Sequence, residues 1–200
     1  MSTAAAHRLD ELRAEAGGCT RCDLYRAATQ TVFGAGAPGA DVMLVGEQPG
    51  DREDEEGEPF VGPAGRVLDA ALEASGLASR RLYVTNAVKH FKFEQRGKRR
   101  LHQKPNLTEV AACHVWLEAE LDVVAPRVVV ALGATAARAL VGRTVRIGSV
   151  RGMAVPWERD APLVITVHPS SILRAGDGRE RAAAREAFVE DLRAAAALLP

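Results

Sequence analysis

Asp41-Val-Met-Leu-Val-Gly46 is a short apolar run that stops abruptly in Glu47-Gln48-Pro49-Gly50. Such a run has no polar alternation, so it suits a strand buried on both faces, as in a parallel sheet. Similar runs recur at Leu82–Val88, Arg127–Gly133 and Leu163–Val167. Helical patterns lie between them. Residues 63–75 place Pro63 in a first turn, bury Val67, Leu68, Ala71 and Leu72, and stop at Gly76. Asn106 with Glu109 forms a capping box for a helix that carries Cys113 and Trp116 and ends before Pro126. Residues 134–141 form a short helix. The Ala-rich segment 178–198 closes the chain, with Phe188, Leu192 and Leu198 toward the core.

At the start, residues 4–16 read as a helix around Leu9 and Leu12, stopped by Gly17-Gly18. Residues 51–58 read as an acidic loop and 142–157 as irregular or strand-like, Gly-punctuated sequence. Strand and helix thus alternate four times. The expectation is an α/β fold: a three-layer α-β-α sandwich with a central four-stranded parallel sheet, one domain over residues 1–200. Gly34-Ala-Gly36-Ala-Pro-Gly39 formally matches a dinucleotide fingerprint. It contains Pro38 and precedes a strand where that motif must follow one, so it reads as a turn.

The 26 basic and 26 acidic side chains balance, which excludes a uniformly basic protein but not a segregated basic surface. Segregation is present. Asp51, Glu53, Asp54, Glu55, Glu56 and Glu58 lie close together, whereas the non-periodic segment of roughly 88–106 carries Lys89, Lys92, Arg96, Lys98, Arg99, Arg100 and Lys104 against Glu94 alone. Charge runs are usually solvated faces. This one also suits a polyanion, because Lys and Arg neutralise phosphates. No apolar run is long enough to span a bilayer and the first residues lack a signal-peptide core, so the expectation is a cytoplasmic protein with no membrane partner, acting as a monomer. A reducing cytosol disfavours disulfides, which leaves Cys19, Cys22 and Cys113 as candidate metal ligands.

In open α/β sheets, ligands bind outside the carboxyl ends of the strands. Glu47 and Gln48 follow the first run, Asn86 stands near the end of the second, and His168 follows the fourth. The basic segment with His102 leaves from the same edge. A lone Asn at a strand end is more often a turn former, and a lone His more often packs or caps. Their convergence is what points to an active site.

Gly46-Glu-Gln-Pro-Gly50, Phe60-Val-Gly-Pro-Ala-Gly65, Asn86 and His168-Pro-Ser-Ser171, in that order over nearly the whole chain, resemble the motifs of the uracil-DNA glycosylase superfamily, particularly its iron–sulfur, family-4-like branches. The inserted Lys98-Arg-Arg-Leu-His102 resembles the UdgX branch, which stays covalently attached to DNA after removing uracil; the usual loop has isoleucine where this chain has Leu101. The resemblance implies base-excision repair of uracil-containing DNA, with single-stranded DNA favoured. It implies that Asn86 reads the uracil edge, that Phe60 stacks on the base, and that Gln48, Gly50 and nearby amides hold uracil oxygens. His168 donates to the departing uracil. Glu47 stabilises the oxocarbenium-like sugar and accepts the proton of His102, and Asp51 assists with a water or the loop. His102 attacks the anomeric carbon, C1′, in a single-turnover reaction. Lys98, Arg99 and Arg100 hold the loop against DNA or the protein surface. Ser170, Ser171 and Arg174 contact phosphates.

Iron–sulfur relatives place a further cysteine near position 90. The resemblance therefore implies His90 as fourth ligand beside Cys19, Cys22 and Cys113, with a [4Fe–4S] cluster of structural role. By spacing alone, zinc with three Cys and one His is at least as good, and His114 is a competing ligand. Two other functions stay open: a conventional turnover glycosylase in which His102 is only a loop residue, and a metal-stabilised DNA-binding module without chemistry.

Overall fold

All four apolar runs are strands in the computed structural model, which describes residues 3–199; residues 1, 2 and 200 of the expected domain lie outside them. Along the chain come α1 (Thr3–Gly17), β1 (Ala35–Gly36), β2 (Val42–Gly46), α2 (Asp51–Glu56), α3 (Pro63–Ser75), β3 (Leu82–Asn86), β4 (Phe93–Arg96) and β5 (Arg99–His102). Then follow α4 (Leu107–Val124), β6 (Val128–Leu132), α5 (Ala134–Val141), α6 (Ile147–Val150), β7 (Ala154–Val155), β8 (Leu163–Thr166), α7 (Pro169–Leu173) and α8 (Gly178–Ala196).

The sheet order is β1-β3-β2-β6-β8-β7. Its four inner strands are parallel, as the uninterrupted apolar runs require. The two-residue edge strands β1 and β7 are antiparallel; β7 falls in the stretch read as irregular or strand-like, whereas β1 was not foreseen, since two residues carry no periodic signal. Side chains alternate between two cores. Met43, Val45, Val129 and Ala131 pack under α1, α4 and α5, whereas Val42, Leu44, Val128 and Val130 pack against α3 and α8. This is the three-layer arrangement. Phe188 and Leu192 are buried as expected, but Leu198 lies past the end of α8 and is 41% exposed.

Two expected loops are ordered elements. The acidic segment begins as α2, because carboxylates in a first turn favour a helix N-terminus and Glu53 accepts the Gly50 N–H at 3.0 Å. The basic segment contains the hairpin β4–β5, which turns at Gly97 with φ +60° and pairs Phe93 with His102. Lys89, counted with the basic run, is fully buried. Its Nζ meets Glu120 Oε2 at 2.5 Å, Thr85 Oγ1 at 2.7 Å and the Asn86 carbonyl at 2.8 Å. The Asn106 capping box is formed in both directions.

Candidate active site

A cavity of about 920 Å³ opens at the carboxyl ends of β2, β3, β6 and β8. Its wall holds Glu47, Gln48, Gly50, Asp51, Phe60, Asn86, His102, His168, Ser170, Ser171 and Arg174. Eleven of the residues singled out from sequence are thus brought together around one space.

Asn86 ends β3 and is almost wholly buried, and its Oδ1 has no hydrogen-bond partner among the described residues. An orphaned buried acceptor is costly, and in a native site it points to a ligand donor. Room for it comes from Gly46. A Cβ there would collide with Asn86 Oδ1 and stand 2.7 Å from Phe60 Cζ. Phe60 itself has φ +60°, a left-handed conformation that costs a bulky residue about 1–3 kcal/mol. Glu53 supports this turn from below, accepting the N–H groups of Gly50 at 3.0 Å and Gly62 at 2.8 Å. The Phe60 ring lies 6.0 Å from the His168 ring, inclined by 30°.

His168 caps α7, and its Nδ1 accepts from the Ser170 N–H at 3.2 Å. Arg174 Nη1 donates to Ser170 Oγ at 3.0 Å, and that hydroxyl stands 2.8 Å from the same Nδ1. Nδ1 is therefore the acceptor, and the neutral ring carries its proton on Nε2. Burial pushes the His168 pKa down to about 4; the Glu47 carboxylate opposes this and the Arg174 charge adds to it. His168 is thus a neutral donor at ordinary pH.

Glu47 is held at both oxygens. Oε1 stands 3.4 Å from His102 Nε2, and Oε2 accepts the hydroxyl proton of Thr135. Burial pushes the Glu47 carboxyl up, but the hydrogen bonds from His102 and Thr135 outweigh it and hold the group below its ordinary value. Glu47 is therefore a carboxylate, suited to stabilising positive charge or taking a proton.

His102 comes last in β5, half exposed, with its ring 6.2 Å from Phe91. What holds the hairpin is Arg100. Its guanidinium meets Asp51 Oδ1 and Asp54 Oδ2, each at 2.5 Å, and lies over Phe93 at 5.2 Å. Of the two expected roles for Arg100, holding the loop against DNA or against the protein surface, these contacts are of the second kind. Asp51 is likewise a loop-holding residue, since its carboxylate faces Arg100. Lys98 and Arg99 are exposed around the hairpin turn. The Gln48 side chain binds Lys92 O at 3.2 Å, Gln103 O at 3.0 Å and the Lys92 N–H at 3.1 Å, clamping both ends of the hairpin.

The chain belongs to the uracil-DNA glycosylase superfamily. The family's sequence profile matches residues 33–193, a span that contains every residue of the cavity wall. The type-4 uracil-DNA glycosylase of Thermotoga maritima is 39% identical over 157 residues, 78% of each chain. That of Pyrobaculum aerophilum is 35% identical over 181 residues, 87% of this chain and 86% of the relative. That of Sulfurisphaera tokodaii is 32% identical over 173 residues, 82% and 76%. No helix among the described residues of this superfamily member is long and apolar enough to cross a membrane.

The expected metal ligands fit an iron–sulfur group only in part. Cys113 Sγ accepts the Lys89 N–H at 3.2 Å and Cys19 Sγ accepts the Trp116 indole N–H at 3.2 Å, the kind of donors that ligating sulfurs receive. Cys22 packs beside Cys113. His90 binds Thr31 through one ring nitrogen. Its Nε2 lies 2.9 Å from Thr31 Oγ1, whose own proton goes to Ala16 O, so the imidazole is the donor. His114 faces Glu118 at 3.3 Å on the surface. Among the described residues no group of three or more His, Cys, Asp or Glu is gathered closely enough to hold a metal ion.

Sequence reading missed Glu53, Asp54, Gly46 and Thr135. The signal for Thr135 was available: it stands just past the carboxyl end of the third apolar run, the one strand end left unused.

Proposed function

We propose that this chain is a uracil-DNA glycosylase that cleaves the N-glycosidic bond of deoxyuridine in DNA, single-stranded DNA preferred, and joins His102 to the sugar that remains. The observation that carries the reading is the orphaned Asn86 Oδ1, buried in a cavity shared by Glu47, His102 and His168. Uracil offers an N3–H to that oxygen and a carbonyl to the amide nitrogen. An enzyme acting on a base must take it out of the stack into such a pocket, and Phe60 supplies a flat face for it.

The bond between C1′ and uracil N1 breaks with its electron pair leaving on uracil. The Nε2–H of His168 donates to the carbonyl on which that charge develops. The Glu47 carboxylate stabilises the electron-poor sugar. The Nε2 proton of His102 passes to Glu47 while Nδ1 keeps its own, the Nε2 lone pair so freed forms a bond to C1′, and the proton held on Glu47 finally neutralises the uracil anion. The ledger closes: one C–N bond is exchanged for another and free uracil departs. The hairpin brings His102 to Glu47, which supports attachment over attack by water. Ser170, Ser171 and Arg174 line the cavity and Lys98 and Arg99 are exposed on the hairpin turn, and all five suit phosphates.

Three thiols suit a [4Fe–4S] cluster of structural role, tying the segment after α1 to α4; His90 would complete it through Nδ1 while Nε2 donates to Thr31. Iron and acid-labile sulfide in the purified protein would support the cluster, and stoichiometric zinc would replace it.

The function is tested with single-stranded DNA bearing one uracil. Release of free uracil supports the glycosylase. A heat-stable protein–DNA band on a denaturing gel supports attachment, and alkali-labile sites without that band support turnover. Neither uracil loss nor a shifted band would leave a binding module.

A further inference from the structure

Thr135 is the second residue of α5 and lies just after Gly133, whose φ of +96° turns the chain at the end of β6. Its side chain is buried, and its hydroxyl donates to Glu47 Oε2. A β-branched residue in a helix has few rotamers, so this hydroxyl is aimed by the backbone. Glu47 Oε1, the other oxygen, stands 3.4 Å from His102 Nε2.

We propose that Thr135 is a positioning residue of the glycosylase reaction, fixing Glu47 as a carboxylate with Oε1 alone turned to His102. The inference rests on the glycosylase reading and adds a residue to it. A carboxyl lining a cavity loses water, and burial by itself would favour the neutral acid. A neutral Glu47 would neither stabilise the sugar cation nor accept the His102 proton. The titratable groups facing Glu47 are His102 from the hairpin and His168 after β8; Asp51 and Glu53 line the same cavity. Among the described residues Thr135 is the donor to Glu47 that does not titrate, so its effect is independent of its own protonation. It also occupies the oxygen that would otherwise be free to orient water toward C1′. Thr135 thereby favours attachment by leaving His102 as the partner of the remaining oxygen.

Thr135→Val keeps the shape and removes the hydroxyl, and Thr135→Ser keeps the hydroxyl. Two readouts are needed: the Glu47 carboxyl carbon titrated by NMR, assigned with Glu47→Gln, and single-turnover uracil release across pH. In Thr135→Val the Glu47 titration should move up by about one pH unit, with the acid limb of uracil release moving alongside it. Thr135→Ser should return both toward the wild-type curves. A Glu47 titration unmoved in Thr135→Val overturns the proposal, and so does a Thr135→Ser curve displaced as far as that of Thr135→Val. If the wild-type chain released no uracil, the glycosylase reading would fall, and the carboxyl titration would still decide whether Thr135 controls Glu47.

Discussion

Glu47 Oε1 and His102 Nε2 face each other across 3.4 Å, although 54 residues of chain and the whole of β3 separate them. One residue follows the central strand of a rigid sheet and the other ends an appended hairpin. The pair therefore exists only while the hairpin is docked.

Arg100 docks it. Removing its guanidinium leaves Asp54, which is fully buried, without its cationic partner and frees β5 to move. Arg100→Ala is expected to lower covalent attachment about 100-fold, the effect of displacing a reacting atom by about 1 Å. Uracil release, which relies on Asn86 and His168, should fall far less. Arg100→Lys should fail similarly, because a point charge cannot serve Asp51 and Asp54 at once. Equal losses in both activities, measured side by side, would show that the hairpin is needed for excision itself.

Asn86 tests the pocket. Asn86→Ala should reduce single-turnover uracil release by about 10²-fold, in the range found for loss of one preorganised polar group. Gly46→Ala should do comparable damage from the other side, since its methyl would collide with Asn86 Oδ1 and press on Phe60. Uracil release at the wild-type rate in either variant would remove Asn86 from base reading.

Lys89 and Glu120 are both wholly buried and bonded to each other at 2.5 Å. Lys89→Ala leaves a carboxylate in the core with no countercharge, and breaking such a pair costs about 3–5 kcal/mol. Chemical denaturation should find that loss in the midpoint. Lys89→Met paired with Glu120→Leu should recover much of it, because the desolvation cost disappears with both charges. A Lys89→Ala variant as stable as the wild type would contradict the buried pairing.

These contacts mark where sequence reading stopped. The four parallel strands were legible because a strand covered on both faces must be apolar throughout, and Val128–Leu132 is buried at every position. Asn86 and His168 were legible because topology alone places strand ends together. The hairpin was not: Phe93–Arg96 and Arg99–His102 carry one apolar residue each, and what holds them is Arg100 bound to carboxylates 46 and 49 positions earlier. Lys89 was counted with the basic run because its partner is 31 residues away, and no local pattern announces Glu120. His90 was placed by a ligand's position in the chain, and no local pattern announces that Thr31, 59 residues away, meets its Nε2.

His168 predicts a pH dependence. Its folded pKa of about 4 lies below the ordinary value of 6.5, with burial as the cause. As pH falls from 6.5 toward 4 the unfolded chain takes up a proton that the folded chain refuses, so stability declines across that window and is fully present above it. The share from His168 is about 2–3 kcal/mol at the acid end. His90, also depressed by burial, acts in the same sense. His168→Gln should flatten the slope of unfolding free energy between pH 6.5 and 4.5, leaving the His90 share. An unchanged slope would mean that His168 is accessible to protons in the folded chain.

The central claim is that His102 becomes bonded to the sugar it helps expose. The most direct measurement incubates wild-type protein and His102→Ala with single-stranded DNA bearing one uracil, then separates the products on a denaturing gel after heating while free uracil is quantified. The wild type should give a heat-stable protein–DNA band with about one uracil released per protein molecule, and His102→Ala should release uracil without that band. A band that persists in His102→Ala, or a wild type that turns over many uracils and gives no band, would contradict it.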